Sequence, residues 1–323
     1  MSETQSPAQN EAFAIGIDIG ATAIKGALVG SSGKLFVSFR EDSPRTTSSL
    51  QDFVRSVHKH AHVPLLGVGI GCKGVINATT THVNRLPGNL NFLEGYNLSE
   101  LAKVDDLPIC ADNDARTALV AEVLWGAARG RRNVILLTLG TGVGGAALVD
   151  GVIVRGASGA ACHFGHVTLD IRGGLCICGN YGCLETCFSS RAIESGYFAH
   201  LHRASSTRLA LDEAGRVPST EAIFQAAAEG DPSAQRVLDL AFESLTAALV
   251  SFLNVFDPEL IILGGNIAAA GPQLLARLQE DVTRRTSVLI DRTVPIVLQN
   301  NVGYGGVAGA AGLVFLQQRW LTI

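Results

Sequence analysis

The residues with the clearest chemical signature lie in one short stretch, residues 163–185, which reads HFGHVTLDIRGGLCICGNYGCLE. A histidine and three cysteines there follow the spacing H-x9-C-x-C-x4-C, at positions His166, Cys176, Cys178 and Cys183. Three thiolates and one imidazole make a closed tetrahedral shell that suits Zn²⁺, with no open position for water. We therefore predict a structural zinc site. The alternatives are neighbouring buried thiols, or Cys187 as a competing ligand.

Two glycine-rich turns follow apolar strands and could hold phosphate groups. They read DIGATAIK (18–25) and TLGTGVGG (138–145), and LGG (263–265) is a third glycine turn. Each of the first two offers backbone N–H groups and a threonine hydroxyl, and clustered N–H groups attract anions. Neither has the Walker order of residues, and an ordinary structural turn explains either one alone. The three together favour nucleotide binding.

An acidic motif, DND at 112–114, follows a short apolar strand. A carboxylate at a strand end can act as a general base, bind a metal or cap the next helix. We expect one of the two aspartates to cap the helix. Either of them could be catalytic on this evidence.

The elements that must position these residues alternate between strands and helices. Strand patterns at 13–20 and 132–156 each continue into hairpins, and long helical patterns occupy residues 219–256. This alternation indicates an α/β protein, and the similarity of the two strand regions predicts a duplicated βββαβα unit. No GxGxxG fingerprint follows the first strand, which disfavours a dehydrogenase. Two halves with a cleft between them fit better than one doubly wound sheet.

Composition narrows the class of protein. The chain has 323 residues, 47% of them hydrophobic, and a net charge of −4 without a basic block, which argues against nucleic-acid binding. Residues 1–11 are polar and lack a signal-peptide pattern, so we expect a disordered tail and a cytoplasmic protein. Apolar stretches such as 248–256 are too short to cross a bilayer. Reduced thiols are expected, and the remaining cysteines are expected to be small core side chains: Cys72, Cys110 and Cys162.

These motifs, in this order, resemble the ROK family of bacterial sugar kinases and sugar-responsive repressors, from Ile15 to about Leu316. The run GHVTLDIRGGLCICGNYGCLE is similar to the family's zinc signature at every metal position. DIGATAIK and LGTGVGG resemble its two phosphate motifs, DNDA its catalytic motif, and LIILGG the strand and turn beside the adenosine.

The resemblance implies a fold and a domain organisation. The fold is the two-domain ribonuclease-H-like architecture of the actin/hexokinase-type ATPases, with ATP and sugar meeting in an interdomain cleft. The implied domains are a small one at 12–115 plus 305–323 and a large one with the zinc site at 116–304. A homodimer is expected.

The resemblance also implies residue roles. Asp114 is the general base for the primary hydroxyl of the sugar, and Asp18 helps to hold Mg²⁺. Sugar hydroxyls are contacted by Asn113, His163, His166 and Glu185, with His166 also bound to zinc through its other ring nitrogen. The phosphates of ATP lie along Gly20, Thr22, Thr141 and Gly142, and the adenosine lies near Gly264 and Gly265.

Two departures from the family pattern bear on the substrate. His163 stands where the family's E-x-G-H motif has a glutamate, and an imidazole accepts one hydrogen bond and donates one where a carboxylate accepts two. Lys73 occupies the third position of Gly71–Gly74, where G-x-P-G is common, and puts a cation near the implied sugar site. A solvated loop lysine is an equal alternative for Lys73.

The function expected from these observations is ATP-dependent phosphorylation of a hexose or N-acetylhexosamine. The alternative is a sugar-binding or sensing protein with weak or no kinase activity, which the change at His163 motivates. A family transcription regulator would carry an N-terminal helix-turn-helix domain. About a dozen residues before the first strand are too few for one.

Overall fold

The computed structural model describes residues 11–201, 217–267, 272–300 and 303–323. Except for Glu11, the tail expected at residues 1–11 lies outside these ranges. The described chain alternates strands and helices, in agreement with the predicted α/β class. The strands are β1 (Phe13–Ile19), β2 (Ala23–Gly30), β3 (Leu35–Asp42), β4 (Leu65–Cys72), β5 (Val75–Asn77), β6 (His82–Arg85), β7 (Ile109–Asn113), β8 (Val134–Leu139), β9 (Val143–Val149), β10 (Val152–Ile153), β11 (Leu260–Gly264) and β12 (Ile296–Leu298).

The helices connect these strands and cover the sheets. They are α1 (Thr47–Lys59), α2 (Leu98–Leu101), α3 (Asp114–Trp125), α4 (Leu184–Cys187), α5 (Ser190–Leu201), α6 (Thr220–Ala228), α7 (Pro232–Phe256), α8 (Pro272–Thr286) and α9 (Gly305–Gln317). Helix α1 illustrates the local rules. Its apolar residues recur at helical spacing and are buried, and Thr46 and Ser49 form a reciprocal capping box at its start.

Two five-stranded sheets share one strand order. The first runs β3-β2-β1-β4-β7, and the second runs β10-β9-β8-β11-β12. In the first, β1 pairs antiparallel with β2 and parallel with β4, and β4 pairs parallel with β7. The shared order matches the duplicated unit that the sequence predicts.

The strands β1 and β4 are almost wholly buried, which explains their continuous apolar sequences. Helix α9 packs closely against β1: a methyl group at Gly16 would lie 2.0 Å from the carbonyl oxygen of Val307. Glycine at this position therefore lets the helix backbone approach the sheet.

The described chain forms two compact units. The first comprises Met1–Leu136, Ala146–Cys162 and Gln299–Ile323, and the second comprises Leu137–Gly145 and His163–Leu298. These limits differ from the domain ranges expected from the sequence, which placed 116–304 together. Helix α3 groups with the first unit because it packs against α9, where a methyl group at Gly309 would meet the carbonyl oxygen of Thr117. The predicted domain ranges remain a prediction.

Helix α7 is the one described helix long and apolar enough to cross a membrane. It has 25 residues, and 56% of its most apolar window is buried. Asp231 caps its start and Pro232 occupies its first position, while its buried face includes Leu245, Leu249 and Phe252. A largely buried core helix can meet the same criteria of length and composition, so these criteria alone are weak evidence that α7 spans a membrane.

Candidate functional site

In the first unit, the carboxyl ends of three parallel strands bring acidic residues to one sheet edge. The register aligns Asp18 of β1 with Gly71 of β4, and Gly71 with Asp112 of β7. Parallel strands end on the same side of a sheet, so Asp18 and the DND motif lie together, as the predicted roles require.

Asp112 forms a buried ion-pair network with two arginines. Its side chain is fully buried, and its two oxygens accept hydrogen bonds from Arg116 Nε at 2.5 Å and Arg155 Nε at 2.8 Å. A carboxylate whose two oxygens both accept from guanidinium groups has little capacity left to accept a proton from a substrate. This arrangement removes Asp112 from the two candidate bases.

Asn113, and not an aspartate, caps helix α3, so the expectation of an aspartate cap was wrong. Its Oδ1 accepts from the backbone N–H groups of Ala115, at 3.0 Å, and Arg116, at 3.4 Å. Its Nδ2 donates to the carbonyl oxygen of Gly74 at 3.0 Å. The amide oxygen accepts from the unpaired N–H groups of the first helical turn, as a carboxylate would. Asp114 is therefore not needed as the helix cap. The sugar contact of Asn113 stays a prediction.

Asp114 begins helix α3 and forms no ion pair within the described part of the chain. Its Oδ1 accepts the backbone N–H of Ala115 at 2.9 Å. Burial raises the pKa of this carboxyl above its ordinary value, and the backbone N–H of Ala115 and the charges of Lys73 and Arg116 act in the opposite direction. A partly accessible carboxylate with a raised pKa is suited to accept a proton near neutral pH.

Asp18 is the second perturbed carboxyl at this edge. Burial, and then the charge of Asp114, raise its pKa to about 7, while Lys25, its cross-strand partner on β2, lowers it. A methyl group at Gly306, in the first turn of α9, would lie 3.0 Å from the Asp18 carboxyl. Two carboxyls that disfavour each other's charge form a site that a divalent cation would stabilise.

The turn between β1 and β2 uses, in its own hydrogen bonds, a backbone N–H group that was expected to bind phosphate. The N–H of Gly20 donates to the carbonyl oxygen of Ala23 at 3.1 Å, so this group is not free for a phosphate. The hydroxyl of Ser43 donates to the carbonyl oxygen of Gly20 at 2.8 Å and fixes the turn. Thr22 is exposed. Its hydroxyl therefore remains suited to bind an anion.

The corresponding turn in the second unit is tied to Glu185. The N–H of Gly140 donates to the carbonyl oxygen of Gly142 at 3.0 Å, and Thr141 is exposed. Oε2 of Glu185, in the first turn of α4, accepts the N–H of Val143 at 2.9 Å. A methyl group at Gly142 would lie 2.4 Å from Oε2, so this position requires glycine. The structure thus brings Glu185, for which a sugar contact is predicted, next to Thr141 and Gly142, for which phosphate contacts are predicted.

The turn after β11 is also set by a close backbone approach. Gly264 ends the strand and is buried, and Gly265 follows with a φ of +86°. A methyl group at Gly265 would lie 2.3 Å from the carbonyl oxygen of Leu139 on β8. Packing therefore explains Gly265 independently of the predicted adenosine contact.

The four predicted metal ligands converge in the second unit. Their ligand atoms all lie within 4.8 Å of one another, and they belong to His166, Cys176, Cys178 and Cys183. Nδ1 of His166 lies 3.6 Å from Sγ of Cys176, and Sγ of Cys178 lies 3.6 Å from Sγ of Cys183. Metal bonds of about 2.0–2.3 Å in a tetrahedron separate the ligands by roughly 3.5 Å, so the donor set fits Zn²⁺. Cys187 is not part of this cluster.

Other residues singled out in the sequence are His163 and three cysteines outside the metal cluster. His163 precedes the 3₁₀ turn Phe164–His166, and its ring stacks on that of His166 with 6.1 Å between centroids. Cys72 is buried, as expected of a core side chain, whereas Cys110 and Cys162 are partly exposed. Burial raises the pKa of the Cys110 thiol to about 11, which keeps it protonated.

Comparison with known proteins identifies the family. The sequence model of the ROK family matches residues 14–317. The chain belongs to the ROK family. A glucokinase of Thermotoga maritima is 30% identical over 310 residues, which cover 93% of this chain and 96% of that protein. A xylose repressor of Caldicellulosiruptor bescii is 29% identical over 85% of this chain and 71% of that protein.

A solved structure of the family establishes the fold. The ROK family glucokinase from Streptomyces griseus, in complex with glucose and AMPPNP, is 28% identical and superposes with a TM-score of 0.80. The match covers 94% of this chain and 99% of that one. The predicted ribonuclease-H-like, actin/hexokinase-type ATPase fold is thereby confirmed.

This ROK chain contains a charged network around Asp112 that was not expected from its sequence. Arg116 is almost fully buried, and besides Asp112 it donates to the carbonyl oxygens of Gly159 and Ala161, at 3.1 and 3.4 Å. Asp112 lies on β7 and Arg116 on α3, so the i, i+4 rule for two residues of one helix did not indicate their pairing. Arg155 lies 43 residues from Asp112, and no local pattern indicated that contact.

Proposed function

We propose that this chain is an ATP-dependent sugar kinase that phosphorylates the primary hydroxyl of a hexose or an N-acetylhexosamine. The observation that carries the proposal is the contrast within the DND motif. Asp112 is held by two arginines, whereas Asp114 makes no ion pair in the described part of the chain and its pKa is raised by burial. Membership of a family that includes glucokinases supports the same conclusion.

Asp114 acts as the general base and accepts the proton of the sugar hydroxyl as that oxygen attacks the γ-phosphorus of ATP. Most of the rate enhancement comes from positioning and from neutralisation of phosphate charge. Bound Mg²⁺ would supply part of that neutralisation, and Asp18 would help to hold it. The exposed hydroxyls of Thr22 and Thr141 contact the phosphates, which lie along Gly20 and Gly142, and the adenosine lies near Gly264 and Gly265.

Sugar hydroxyls are bound by Asn113, His163, His166 and Glu185. Nδ1 of His166 faces Cys176, so it is the metal-binding nitrogen and leaves Nε2 for the sugar. A structural Zn²⁺ held by His166 and the three cysteines fixes this tautomer and the ring orientation. We further propose a cytoplasmic homodimer that binds neither nucleic acid nor membrane.

The experiment is a coupled ADP-release screen with purified protein, Mg·ATP and a panel of hexoses and their N-acetylamino forms. We expect ADP release to depend on one or a few sugars in the panel. Release that no sugar stimulates would refute the proposal.

A sugar-binding or sensing protein with weak or no kinase activity is the second candidate. It is favoured by His163 at the implied sugar position and by the similarity to a xylose repressor. A sugar that raises the melting temperature without supporting ADP release would identify this function.

A further inference from the structure

Lys73 lies beside the proposed base without a partner of its own. Cys72, the last residue of β4, is aligned with Asn113, the last residue of β7, so the two strands lead directly into Lys73 and Asp114. The hydrogen bond from Asn113 to the carbonyl oxygen of Gly74 keeps the chains together beyond the strands. Neighbouring strands lie about 4.8 Å apart, so the backbones of Lys73 and Asp114 start from adjacent positions, and the charge of Lys73 acts on the Asp114 carboxyl.

The Lys73 ammonium makes no hydrogen bond or ion pair with any residue in the described ranges. Its side chain is partly buried, and a methyl group at Gly88 would lie 3.6 Å from Nζ. No carboxylate oxygen of Asp114 lies within 4.0 Å of Nζ. A lysine that is partly removed from water usually hydrogen-bonds to a carboxylate or carbonyl, whereas the charge of Lys73 acts on Asp114 without direct contact.

A hydroxyl group can bridge an ammonium and a carboxylate, because its oxygen accepts from the ammonium and its hydrogen is donated to the carboxylate. Two hydrogen bonds of about 2.8 Å each span up to about 5.6 Å.

We infer that Lys73 binds the acceptor hydroxyl itself, donating a hydrogen bond to the oxygen from which Asp114 takes the proton. This inference rests on the proposed kinase function. The O–H bond of the acceptor breaks and its proton moves to Asp114. The oxygen forms a bond to the γ-phosphorus, and ADP leaves with the electron pair of the broken P–O bond. Lys73 transfers no proton and stabilises the charge that develops on the attacking oxygen.

The test compares Lys73→Met with Lys73→Arg, and uses Lys103→Met as the matched control, since Lys103 is an exposed lysine of the same unit. Loss of one charge-assisted hydrogen bond is expected to lower kcat/KM for the acceptor by about 10- to 100-fold in Lys73→Met. Lys73→Arg should retain part of the activity, and the control should match the wild type. The KM for ATP should not change.

A pH profile separates this role from a merely structural one. Asp114 is faced by Asp18 from β1, by Lys73 beyond β4 and by Arg116 on its own helix, and Lys25 faces Asp18. Because the positive charge of Lys73 lowers the pKa of Asp114, its removal should move the acidic limb of kcat/KM to higher pH. An unmoved limb would contradict the inference.

Calorimetric titration with sugar in the absence of nucleotide measures binding of the acceptor alone. This measurement tests the Lys73 contact whether or not the protein has kinase activity. If the wild type binds a sugar but releases no ADP, the kinase proposal fails, and a tenfold or greater weakening of sugar binding in Lys73→Met still supports the acceptor contact. Activity or binding within twofold of the wild type overturns the inference. So does a loss confined to the KM for ATP, or a wild type that binds no sugar.

Discussion

The negative charge of Asp18 is unfavourable in the folded protein, because the carboxyl is buried and lies near Asp114. Replacing this carboxyl with a neutral group should therefore stabilise the chain. Burial and the charge of Asp114 raise its pKa from 3.8 to about 7. The folded state therefore retains this proton to a higher pH than the unfolded state, so stability falls as the pH rises between these two pKa values. One pKa unit corresponds to about 1.4 kcal/mol, so the cost above pH 7 is about 4 kcal/mol.

The variant Asp18→Asn removes the titration. The amide still loses part of its hydration, and Asp18 is partly exposed, so we expect a gain of about 2–4 kcal/mol in the free energy of unfolding near pH 8 without Mg²⁺. The gain should fall below about 1 kcal/mol near pH 4, where the folded carboxyl is protonated and the unfolded one, with a pKa of 3.8, is about half protonated. Urea unfolding across this pH range measures both quantities.

The matched control is Asp106→Asn, which changes an exposed aspartate of the same unit and should alter stability little. If Asp18→Asn is no more stable than the wild type near pH 8, the buried charge does not carry the cost assigned to it. A gain of equal size near pH 4 would contradict the electrostatic origin. Mg²⁺ should stabilise the wild type more than the variant, because Asp18 is the proposed ligand.

Three further outcomes follow from the site. Cys178→Ala should lose bound zinc, measured by elemental analysis, and unfold at lower urea than Cys187→Ala, whose cysteine lies outside the cluster; equal zinc content in both variants would remove Cys178 from the ligand set. Arg116→Met should cost about 3–5 kcal/mol of unfolding free energy because it leaves the buried Asp112 with one partner, whereas the exposed pair tested by Arg55→Met should cost less than about 1 kcal/mol. His163→Glu should change the order of preference among sugars in the ADP-release screen, and an unchanged order would show that this position does not select the substrate.

The main elements and the metal cluster were predictable because their signals are local. The apolar strand ending at Ile19 and the amphipathic helix at Thr47–Lys59 follow directly from hydrophobic spacing. The convergence of His166 with the three cysteines follows from ligand types confined to a short glycine-rich run. In each case the residues that matter are close together in sequence.

The roles within DND were not predictable, because they depend on distant partners. Asp112 and Asp114 are chemically identical in the sequence, and the contact that separates them comes from Arg155, 43 residues away. Asn113 took the capping role expected of an aspartate because its amide oxygen satisfies the same backbone donors. The raised pKa of Asp18 likewise arises from burial and from Asp114, which only the sheet register brings together.

The most direct test of the account is the turnover of Asp114→Asn with the sugar that the screen selects, alongside Asp106→Asn as control. We expect kcat to fall by a factor on the order of 10² or more, because the amide cannot accept the proton. Sugar affinity measured by calorimetry should remain within a few-fold of the wild type, and the control should keep full activity. A kcat for Asp114→Asn close to that of the wild type would show that Asp114 is not the base.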